Sequence, residues 1–474
     1  MTTASSVSAR RDPGVAAACV SAPTRSVLVV TFDFPPSAEV GAYACSQLTR
    51  YLPEYGWEPV VLTVEGRYHL NRNDAEGARA FPGPIIRTAA LPHPLDVWAR
   101  LRRAGPMRAG TASAEVSSVE LGRLRRWVIS LLTLPDRYTG WLPVAIARGI
   151  TEVRRRDIAH IFSSAPHWTN HLVALAIATA TRRRWTAHFR DPWIGIPSAK
   201  PVSRLSLAIE ERLERLVVTC ATNVVCVTEQ HTAWLRQRYP MLAPEKFSTV
   251  TNGFDAAEWD SLAAPSADRT APADFVITYA GTLYQTRNPL PLFRALRRLI
   301  DSREIDERRL RVDLIGWCDV AEGTLVSEAA RTLGLADSVR VVGAVSRSET
   351  LRHLLGSDLL LLLAEAQPYQ IPGKTFEYLR ARRPILALTR SGAVTELLHD
   401  VPGVHIVDPD DIAGIAAAVR AVYHQGEEGS SAPMPDTDFV SQFDRRRLAG
   451  QLARVLDAGT PVPVARRHAP GVRS

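Results

Sequence analysis

Short runs of apolar residues alternate with amphipathic stretches along most of the chain. β-Branched runs alternating with helical segments are typical of parallel sheets whose strands are joined by crossover helices. The pattern predicts two series of strands. The first series is Ser26–Phe32, Pro59–Thr63, Ile158–Ser163, Trp185–Phe189 and Asn223–Thr228. The second series is Phe275–Tyr279, Arg311–Ile315, Val339–Val342, Leu359–Leu363, Pro384–Leu388 and His405–Val407.

A segment of different composition separates the two series. Residues 263–274 are rich in Ala, Pro, Ser and Asp and hold no bulky apolar side chain, which is typical of a linker. The pattern therefore predicts an α/β protein with two doubly wound, Rossmann-like domains facing each other across a cleft. We place these domains at 25–262 and 275–440, a terminal helix at 441–458, and disordered tails at 1–24 and 459–474.

Composition narrows the class of protein. The 474 residues are 46% hydrophobic and 22% charged, as in ordinary folded soluble proteins. The longest aliphatic run, Leu172–Ala178, is far shorter than the roughly 20 residues that a membrane-spanning helix needs. The five cysteines are odd in number and scattered, which favours a reducing compartment over a disulfide framework or a zinc site. With no secretion signal at the N-terminus, these features predict a cytoplasmic protein.

The formal charge of +8 favours an anionic partner. No zinc finger, basic zipper or RNA-binding aromatic motif accompanies the basic residues, so nucleic acid is the weaker interpretation. The segment Val97–Trp127 is basic and interleaved with Trp and Leu, a composition suited to an anionic membrane face. A solvated helix and loop packed on the sheet explains it equally well, and both interpretations stay open.

Several familiar motifs are absent. Gly373-Lys374-Thr375 resembles the end of a phosphate-binding P-loop, but the first glycine of that motif is replaced by Pro368. No G-x-G-x-x-G follows either leading strand, which argues against a nicotinamide or flavin site. His167 and His171 have the spacing of a helical zinc pair, but the expected Glu is Trp168 and no third ligand is evident. We therefore interpret the two histidines as one helix face near a strand end and predict no metal site.

The remaining candidates lie where strands end, at the edge where open parallel sheets bind ligands. Gly41 stands near a helix start, where it either lets backbone amides approach an anion or merely eases a turn. In the second domain, Gly281 and Thr282 follow the first strand, and Arg287 precedes the next helix. An arginine just beyond the carboxyl end of a strand is a candidate anion ligand.

The segment Ile371–Leu379 carries the strongest signal. Pro372-Gly373 predicts a helix start with free N–H groups, and Lys374 adds a full positive charge that suits a diphosphate. Glu377 lies on the same helix face and could accept hydrogen bonds from ribose hydroxyls. The alternative is a surface ion pair between Lys374 and Glu377 worth about 0.2–0.5 kcal/mol. We favour the binding role because the helix follows the aliphatic strand Leu359–Leu363.

Together these residues resemble the nucleotide-sugar glycosyltransferases of the family 4 type, which have the GT-B fold. The resemblance extends from about Arg25 to Leu456, and its strength lies in the order and spacing of modest markers. These markers are the opening VLVVTFDFPPSAEVGAYACSQLTRYLPEYGWEPVVLT, then PDRYTGW, FSSAPHWTNHL, HFRDPW, VTEQHTAWLRQRYP, NGFD, AGTLYQTRNPLPL and IPGKTFEYL.

The resemblance implies a role for each candidate residue. The second domain would hold the nucleotide diphosphate-sugar and the first would bind the acceptor. Transfer would retain the anomeric configuration, with no metal and no cofactor besides the nucleotide sugar as co-substrate. The implied catalytic residues are Arg287, Lys374, Glu377 and His167; the donor-binding residues are Gly41, Gly281, Thr282, Arg287, Gly373, Lys374 and Glu377; the acceptor-binding residues are Arg190, Asp191 and His167.

Two departures from the family pattern affect what the resemblance implies. Family members often carry a second Glu eight positions before Glu377, where this chain has Tyr369, so the way the donor sugar is held is open. His188 stands where related chains often have an acidic residue.

Acceptor and location follow only as expectations. The expected acceptor is a glycan or a lipid-linked sugar in cell-surface polysaccharide assembly, the latter if the basic segment contacts the inner membrane face. A nucleotide-sugar epimerase on the same fold and a catalytically silent sugar-nucleotide-binding scaffold are the alternatives, the latter motivated by Tyr369.

Overall fold

The computed structural model describes residues 25–69, 81–93, 131–195, 203–262, 275–283, 287–365, 367–427 and 434–458. The predicted tails, the predicted linker at 263–274 and the basic segment Val97–Trp127 lie outside these residues. No described helix is both long enough and apolar enough to cross a bilayer.

The first lobe is built on a seven-stranded parallel sheet with the strand order β3-β2-β1-β4-β5-β6-β7. Its strands are β1 (Arg25–Val30), β2 (Trp57–Val64), β3 (Ile85–Thr88), β4 (His160–Ala165), β5 (Arg184–Phe189), β6 (Asn223–Cys226) and β7 (Phe247–Thr249). The helices are α1 (Val40–Thr49), α2 (Leu142–Arg155), α3 (Thr169–Thr181), α4 (Arg204–Cys220), α5 (Glu229–Arg238) and the short α6 (Ala256–Asp260).

The second lobe is built on a six-stranded parallel sheet with the order β12-β9-β8-β13-β14-β15. The strands that follow the first lobe are β8 (Phe275–Ala280), β9 (Leu310–Ile315), the hairpin pair β10 (Val320–Ala321) and β11 (Thr324–Leu325), β12 (Val339–Gly343), β13 (Leu359–Leu363), β14 (Ile385–Leu388) and β15 (Val404–Val407). The helices are α7 (Leu290–Asp301), α8 (Val326–Thr332), α9 (Arg347–Leu355), α10 (Gly373–Ala381), α11 (Ala393–Leu398), α12 (Ile412–Glu427), α13 (Thr437–Ser441) and α14 (Arg445–Asp457).

Both sheets are covered on their two faces, which explains the uninterrupted apolar runs in the sequence. All five leucines of β13 are buried, and they alternate between two apolar clusters on opposite faces of the second sheet. In the first sheet, Leu28 and Val30 of β1 face one cluster, whereas Val27 and Val29 face another. Burial on both faces fixes the register of each central strand, because a slip of one residue would exchange its two faces.

At the boundary between the lobes, a chain segment from each part of the sequence packs in the other lobe. Phe254 and Trp259, which the sequence places in the first domain, pack with Phe376 in the core of the second lobe. Conversely, α14 packs its leucines against the β1 and β2 side of the first sheet. The chain therefore crosses between lobes twice, and an isolated β-bridge pairs Phe254 with Asp444 where the crossings meet.

Each of the eleven predicted strands overlaps an observed strand. The sequence pattern did not predict β3, β7 or the hairpin of β10 and β11. The terminal helix, predicted at 441–458, begins at Arg445, because Asp444 caps its first turn by accepting from the N–H of Arg446.

Candidate active site

The predicted site residues gather at the carboxyl ends of the strands, the edge where parallel sheets bind ligands. In the first lobe, His167 follows β4 and Arg190 follows β5 directly. In the second lobe, Gly281 follows β8, and Lys374 stands in the first turn of α10, after β13. The structure therefore brings these candidates to the facing edges of the two sheets.

Lys374 is held at the start of α10. Pro372 precedes the helix and provides no side-chain cap, and the N–H of Thr375 donates to the backbone oxygen of Pro372 at 2.9 Å. The positive end of the helix dipole at this start favours an anion. The ammonium of Lys374 lies 3.8 Å from the centre of the Tyr279 ring, a cation–π contact. Its nitrogen is buried, although the residue as a whole is only half-buried, and it has no hydrogen-bond partner among the described residues.

Gly281 makes room for this ammonium. Its φ is +139°, and a Cβ added there would lie 2.3 Å from Nζ of Lys374. The adjoining turn is fixed by the Tyr279 hydroxyl, which donates to the backbone oxygen of Thr282 at 2.9 Å. The backbone angle therefore favours glycine, and the absence of a side chain lets the ammonium of Lys374 lie this close.

Arg287 lies within electrostatic range of Lys374. Burial lowers the pKa of Lys374 well below its usual range, and the positive charge of Arg287 lowers this pKa further. Two neighbouring cations, one of them shielded from water, form a site that a dianion would stabilise. Residues 284–286, which lead into Arg287, are not described.

Glu377 has a partner that the sequence did not predict. Its Oε1 lies 2.8 Å from Nη2 of Arg347, the first residue of α9. The proposed surface ion pair between Lys374 and Glu377 is thus not the arrangement observed. The Glu377 side chain is only 14% exposed, and the residue lies at the start of the second turn of α10.

In the first lobe, Gly41 lies directly against Arg190. A Cβ at position 41 would be 2.4 Å from Nη2 of Arg190. Arg190 is anchored by its Nη2, which donates to the backbone oxygen of Pro166 at 2.7 Å, and by its N–H, which donates to Ala165. The glycine therefore admits a guanidinium beside the start of α1.

His167 belongs to a cluster with Asp33, which follows β1. Nε2 of His167 lies 2.9 Å from Oδ2 of Asp33, and Nδ1 of His69 lies 3.2 Å from Oδ1. Burial alone would raise the pKa of Asp33, but the two histidines hold it well below its usual range. The Tyr138 ring packs on His167 with centroids 3.8 Å apart.

The interpretation of His167 and His171 as one helix face is wrong. Helix α3 begins at Thr169, after His167. His171 is fully buried, and its Nδ1 lies 2.8 Å from the hydroxyl of Ser163. Within the described ranges, no group of three or more His, Cys, Asp or Glu side chains could hold a metal ion.

Two further candidates lie at contacts between the lobes. Asp191 accepts a hydrogen bond from the amide of Gln370. The backbone oxygen of Tyr369 accepts from Thr228 at 2.6 Å, and its ring lies 5.5 Å from the ring of Trp234. Tyr369 thus packs on the first lobe.

Sequence reasoning missed Asp33, Arg347 and Glu258. Asp33 had a usable signal, because it follows the first strand of the sheet almost directly. Arg347 had none. It stands after Ser346, within a capping box closed by Glu349, and nothing in that pattern indicates a contact with Glu377.

Both lobes match known family models. Residues 104–258 match the model of Glycosyltransferase Family 4, and residues 274–425 match the model of Glycosyl transferases group 1. The chain is 26% identical over 229 residues to D-inositol 3-phosphate glycosyltransferase 2 of Catenulispora acidiphila, a match that covers 46% of this chain. The chain spans about half the length of the curated relatives that it matches, 53% in this case.

Solved structures agree with the fold. Anabaena HepE in complex with UDP is similar with a TM-score of 0.61 and 15% identity, covering 92% of this chain and all of the other. A structure described as a UDP-N-acetylglucosamine 2-epimerase from Listeria monocytogenes is similar with a TM-score of 0.54 and 12% identity, covering 92% of this chain and 96% of the other. At these identities the likeness shows a shared GT-B architecture.

Proposed function

The chain belongs to the family 4 type of glycosyltransferases, and we propose that it moves a sugar from a nucleotide diphosphate-sugar to a hydroxyl of a glycan or lipid-linked acceptor. The observation that carries the proposal is the buried ammonium of Lys374. It has Arg287 beside it, lies over the Tyr279 ring and stands at the uncapped start of α10. A nucleoside diphosphate matches this arrangement in charge.

The proposed chemistry follows from where charge develops. When the bond between the sugar and the diphosphate breaks, negative charge grows on the leaving phosphate oxygen. Arg287, Lys374 and the first-turn N–H groups of α10 would stabilise that charge more strongly than the charge of the intact donor. Gly281 and Thr282 would line the diphosphate from β8, and Gly41 would approach it from the first lobe. The two cations thus supply the electrostatic part of catalysis.

Retention of anomeric configuration is part of the proposal. The acceptor oxygen bonds to the anomeric carbon on the face that the diphosphate leaves, and its proton passes to the departing phosphate oxygen. His167 would orient the acceptor hydroxyl. Because Asp33 remains a carboxylate, it favours the tautomer in which Nε2 of His167 donates and Nδ1 can accept from a hydroxyl. Arg190, whose guanidinium donates to the backbone oxygen of Pro166 next to His167, and Asp191 would contact the acceptor.

The proposal also includes a class of acceptor and a location in the cell. We expect an acceptor used in cell-surface polysaccharide assembly, met at the cytoplasmic face of the membrane. The support is compositional: the basic, Trp-containing segment Val97–Trp127 suits an anionic surface. In this proposal the nucleotide sugar is a co-substrate and no further cofactor takes part.

The proposal is tested with Lys374→Met. Removing the ammonium should weaken nucleoside diphosphate binding roughly 10- to 100-fold, the usual worth of a charge-assisted hydrogen bond. The melting temperature should stay the same or rise, because one of two neighbouring cations is removed. Titration calorimetry with UDP, ADP, GDP and CDP measures binding, and scanning fluorimetry measures melting.

Product analysis separates this activity from its alternatives. A glycosyltransferase releases free nucleoside diphosphate together with a glycosylated acceptor. An epimerised nucleotide sugar without transfer would identify an epimerase, and donor binding without any release of diphosphate would identify a silent scaffold. Undiminished binding by Lys374→Met would refute the donor site itself.

A further inference from the structure

The carboxylate of Glu377 is the end of a chain of contacts that reaches the other lobe. Nη2 of Arg347 lies 2.8 Å from Oε1 of Glu377, and Nε of Arg347 donates to Glu258 at 3.1 Å. The Tyr43 hydroxyl lies 2.8 Å from both carboxylate oxygens of Glu258 and accepts from Nη2 of Arg347 at 3.3 Å. We call Tyr43, Glu258, Arg347 and Glu377 the Arg347 network.

The network joins four helices. Tyr43 lies on α1 of the first lobe, the helix whose start holds Gly41. Glu258 lies on α6 at the crossing between lobes, Arg347 begins α9, and Glu377 lies on α10 of the donor site. The amide of Gln47, one turn after Tyr43, also donates to Glu258 at 3.1 Å. A single guanidinium therefore connects the donor helix to the first lobe.

The charged groups of the network stabilise one another. The Arg347 and Glu258 side chains are 35% and 22% exposed, so each is partly withdrawn from water. Burial raises the pKa of Glu258, whereas Arg347 and Tyr43 act to lower it. Burial alone would lower the pKa of Arg347, but Glu377, Tyr43 and Glu258 raise it overall, so the guanidinium stays charged. Removing Arg347 would leave two carboxylates without their cation.

Resting on the proposed function, we infer that Arg347 is a positioning residue for donor recognition: it fixes the Glu377 carboxylate so that its other oxygen can accept from the ribose hydroxyls. A free glutamate side chain would lose several rotamers on binding ribose, and that loss would weaken the hydrogen bonds. The planar guanidinium holds Glu377 through Nη2 while Nε is held by Glu258, a fork that lysine cannot reproduce. Tyr43 supports this fork from the first lobe, because its hydroxyl accepts from Nη2 of Arg347.

The readout must isolate the ribose hydroxyls from general damage to the site. Titration calorimetry on the full chain gives the Kd of the best-binding nucleoside diphosphate among UDP, ADP, GDP and CDP. The same measurement on its 2′,3′-dideoxy analogue gives a second Kd, and the ratio of the two constants reports the ribose hydroxyls alone. Distortion that weakens all binding changes both constants equally and leaves the ratio unchanged.

The wild-type ratio should be roughly 30-fold, the worth of hydrogen bonds to a carboxylate. Glu377→Ala should bring it to about 1, and Arg347→Met to about 5. Tyr43→Phe should lower the ratio about two- to three-fold, although the residue lies in the other lobe. Arg380→Met is the matched control. It breaks an ion pair of 3.1 Å between Arg380 and Asp260, on the same helices α10 and α6, and should leave the ratio at the wild-type value.

The outcomes separate the ribose role of Glu377 from the positioning role of Arg347. A wild-type ratio in Glu377→Ala would overturn the ribose role of Glu377 on which the inference rests. A reduced ratio in Glu377→Ala with a wild-type ratio in Arg347→Met would overturn the inference alone. If Arg347→Met does not fold, Arg347→Lys takes its place: it keeps the charge but cannot hold Glu258 and Glu377 together, so its ratio should fall, and an undiminished ratio would refute the inference.

Discussion

Three buried histidines flank the first sheet: His160 on β4 and His188 on β5 lie on one face of it, and His171 of α3 packs on the other face. Each hydrogen-bonds a neighbouring hydroxyl, with distances of 2.9, 3.1 and 2.8 Å respectively. Burial, with nearby arginines adding to the effect, lowers the pKa of His160 and of His171 to about 3 and lowers that of His188 as well. These rings are therefore neutral at neutral pH, and their role is structural.

Acid should destabilise the first lobe for this reason. At pH values between the folded pKa of about 3 and the unfolded pKa of about 6.5, His171 is protonated in the unfolded chain but neutral in the folded chain. Stability is thus intact above about pH 6.5 and falls steadily as the pH drops toward 3. Between about pH 7.5 and pH 5, His160 and His171 should each lower the free energy of unfolding by about 2 kcal/mol, measured by urea unfolding at both pH values.

Substitution isolates one histidine. In His171→Asn the pH-dependent loss should shrink by about 2 kcal/mol, whatever the substitution costs at neutral pH. His399→Asn, at a position whose side chain is 61% exposed, should leave the loss unchanged. Equal pH dependence in the wild type and His171→Asn would show that His171 is not held neutral.

At this scale, sequence alone located residues whose position follows from topology. Arg287, Lys374 and Gly281 became candidates because they lie in the connections that follow β8 and β13, at the edge where ligand groups collect. Asp33 and Arg347 were not, because their meaning comes from contacts with His167 and Glu377 that lie far away along the chain. The spacing of residues along the sequence does not indicate such a contact.

Among the elements, the turn after β8 has the strictest geometric requirement. Gly281→Ala places a methyl group 2.3 Å from Nζ of Lys374 and forces a non-glycine residue to adopt a φ of +139°. The ammonium must move, and nucleoside diphosphate binding should weaken roughly tenfold, with a stability loss of about 1–3 kcal/mol. Calorimetry and thermal melting measure the two effects.

Gly323→Ala is the matched control for strain. Gly323 also has a positive φ, +82°, but a Cβ there meets nothing within 4 Å. It should cost stability without changing nucleotide affinity. If both variants bound nucleotide like the wild type, Gly281 would be a turn glycine with no part in placing Lys374.

The elements that the sequence pattern missed share a physical cause. β7 has three residues, and β10 and β11 have two each, so none is long enough to show a period of two. β3 is an edge strand of four residues whose burial alternates. The eleven strands that were predicted are longer or more continuously apolar, because most lie between neighbours in the sheet.

Across the whole molecule, the terminal helix belongs to the lobe farthest from it in sequence. Leu448, Leu452 and Leu456 of α14 are almost fully buried against Val27, Val29 and Val61 of the first sheet. Leu452→Ala should therefore destabilise the first lobe by about 2–5 kcal/mol, the usual cost of truncating a buried leucine. Urea unfolding followed by tryptophan fluorescence measures this loss.

Leu325→Ala, at a position 47% exposed on the hairpin, should change the free energy of unfolding by less than about 0.5 kcal/mol. A loss of similar size in both variants would show that the contact between α14 and the first sheet adds little stability. Sequence alone predicted the helix but not its partner, because an amphipathic pattern shows that an apolar face is covered and not by what.

The double crossing at Phe254 and Asp444 also sets an order of events during synthesis. In the topology, the second lobe is inserted between β7 and α14, which both belong to the first lobe. A ribosome therefore releases every strand of the first sheet long before the helix that seals one of its faces. Until then the apolar side of β1 and β2 stays open to water, and the nascent chain should depend on chaperones through the whole translation of the second lobe.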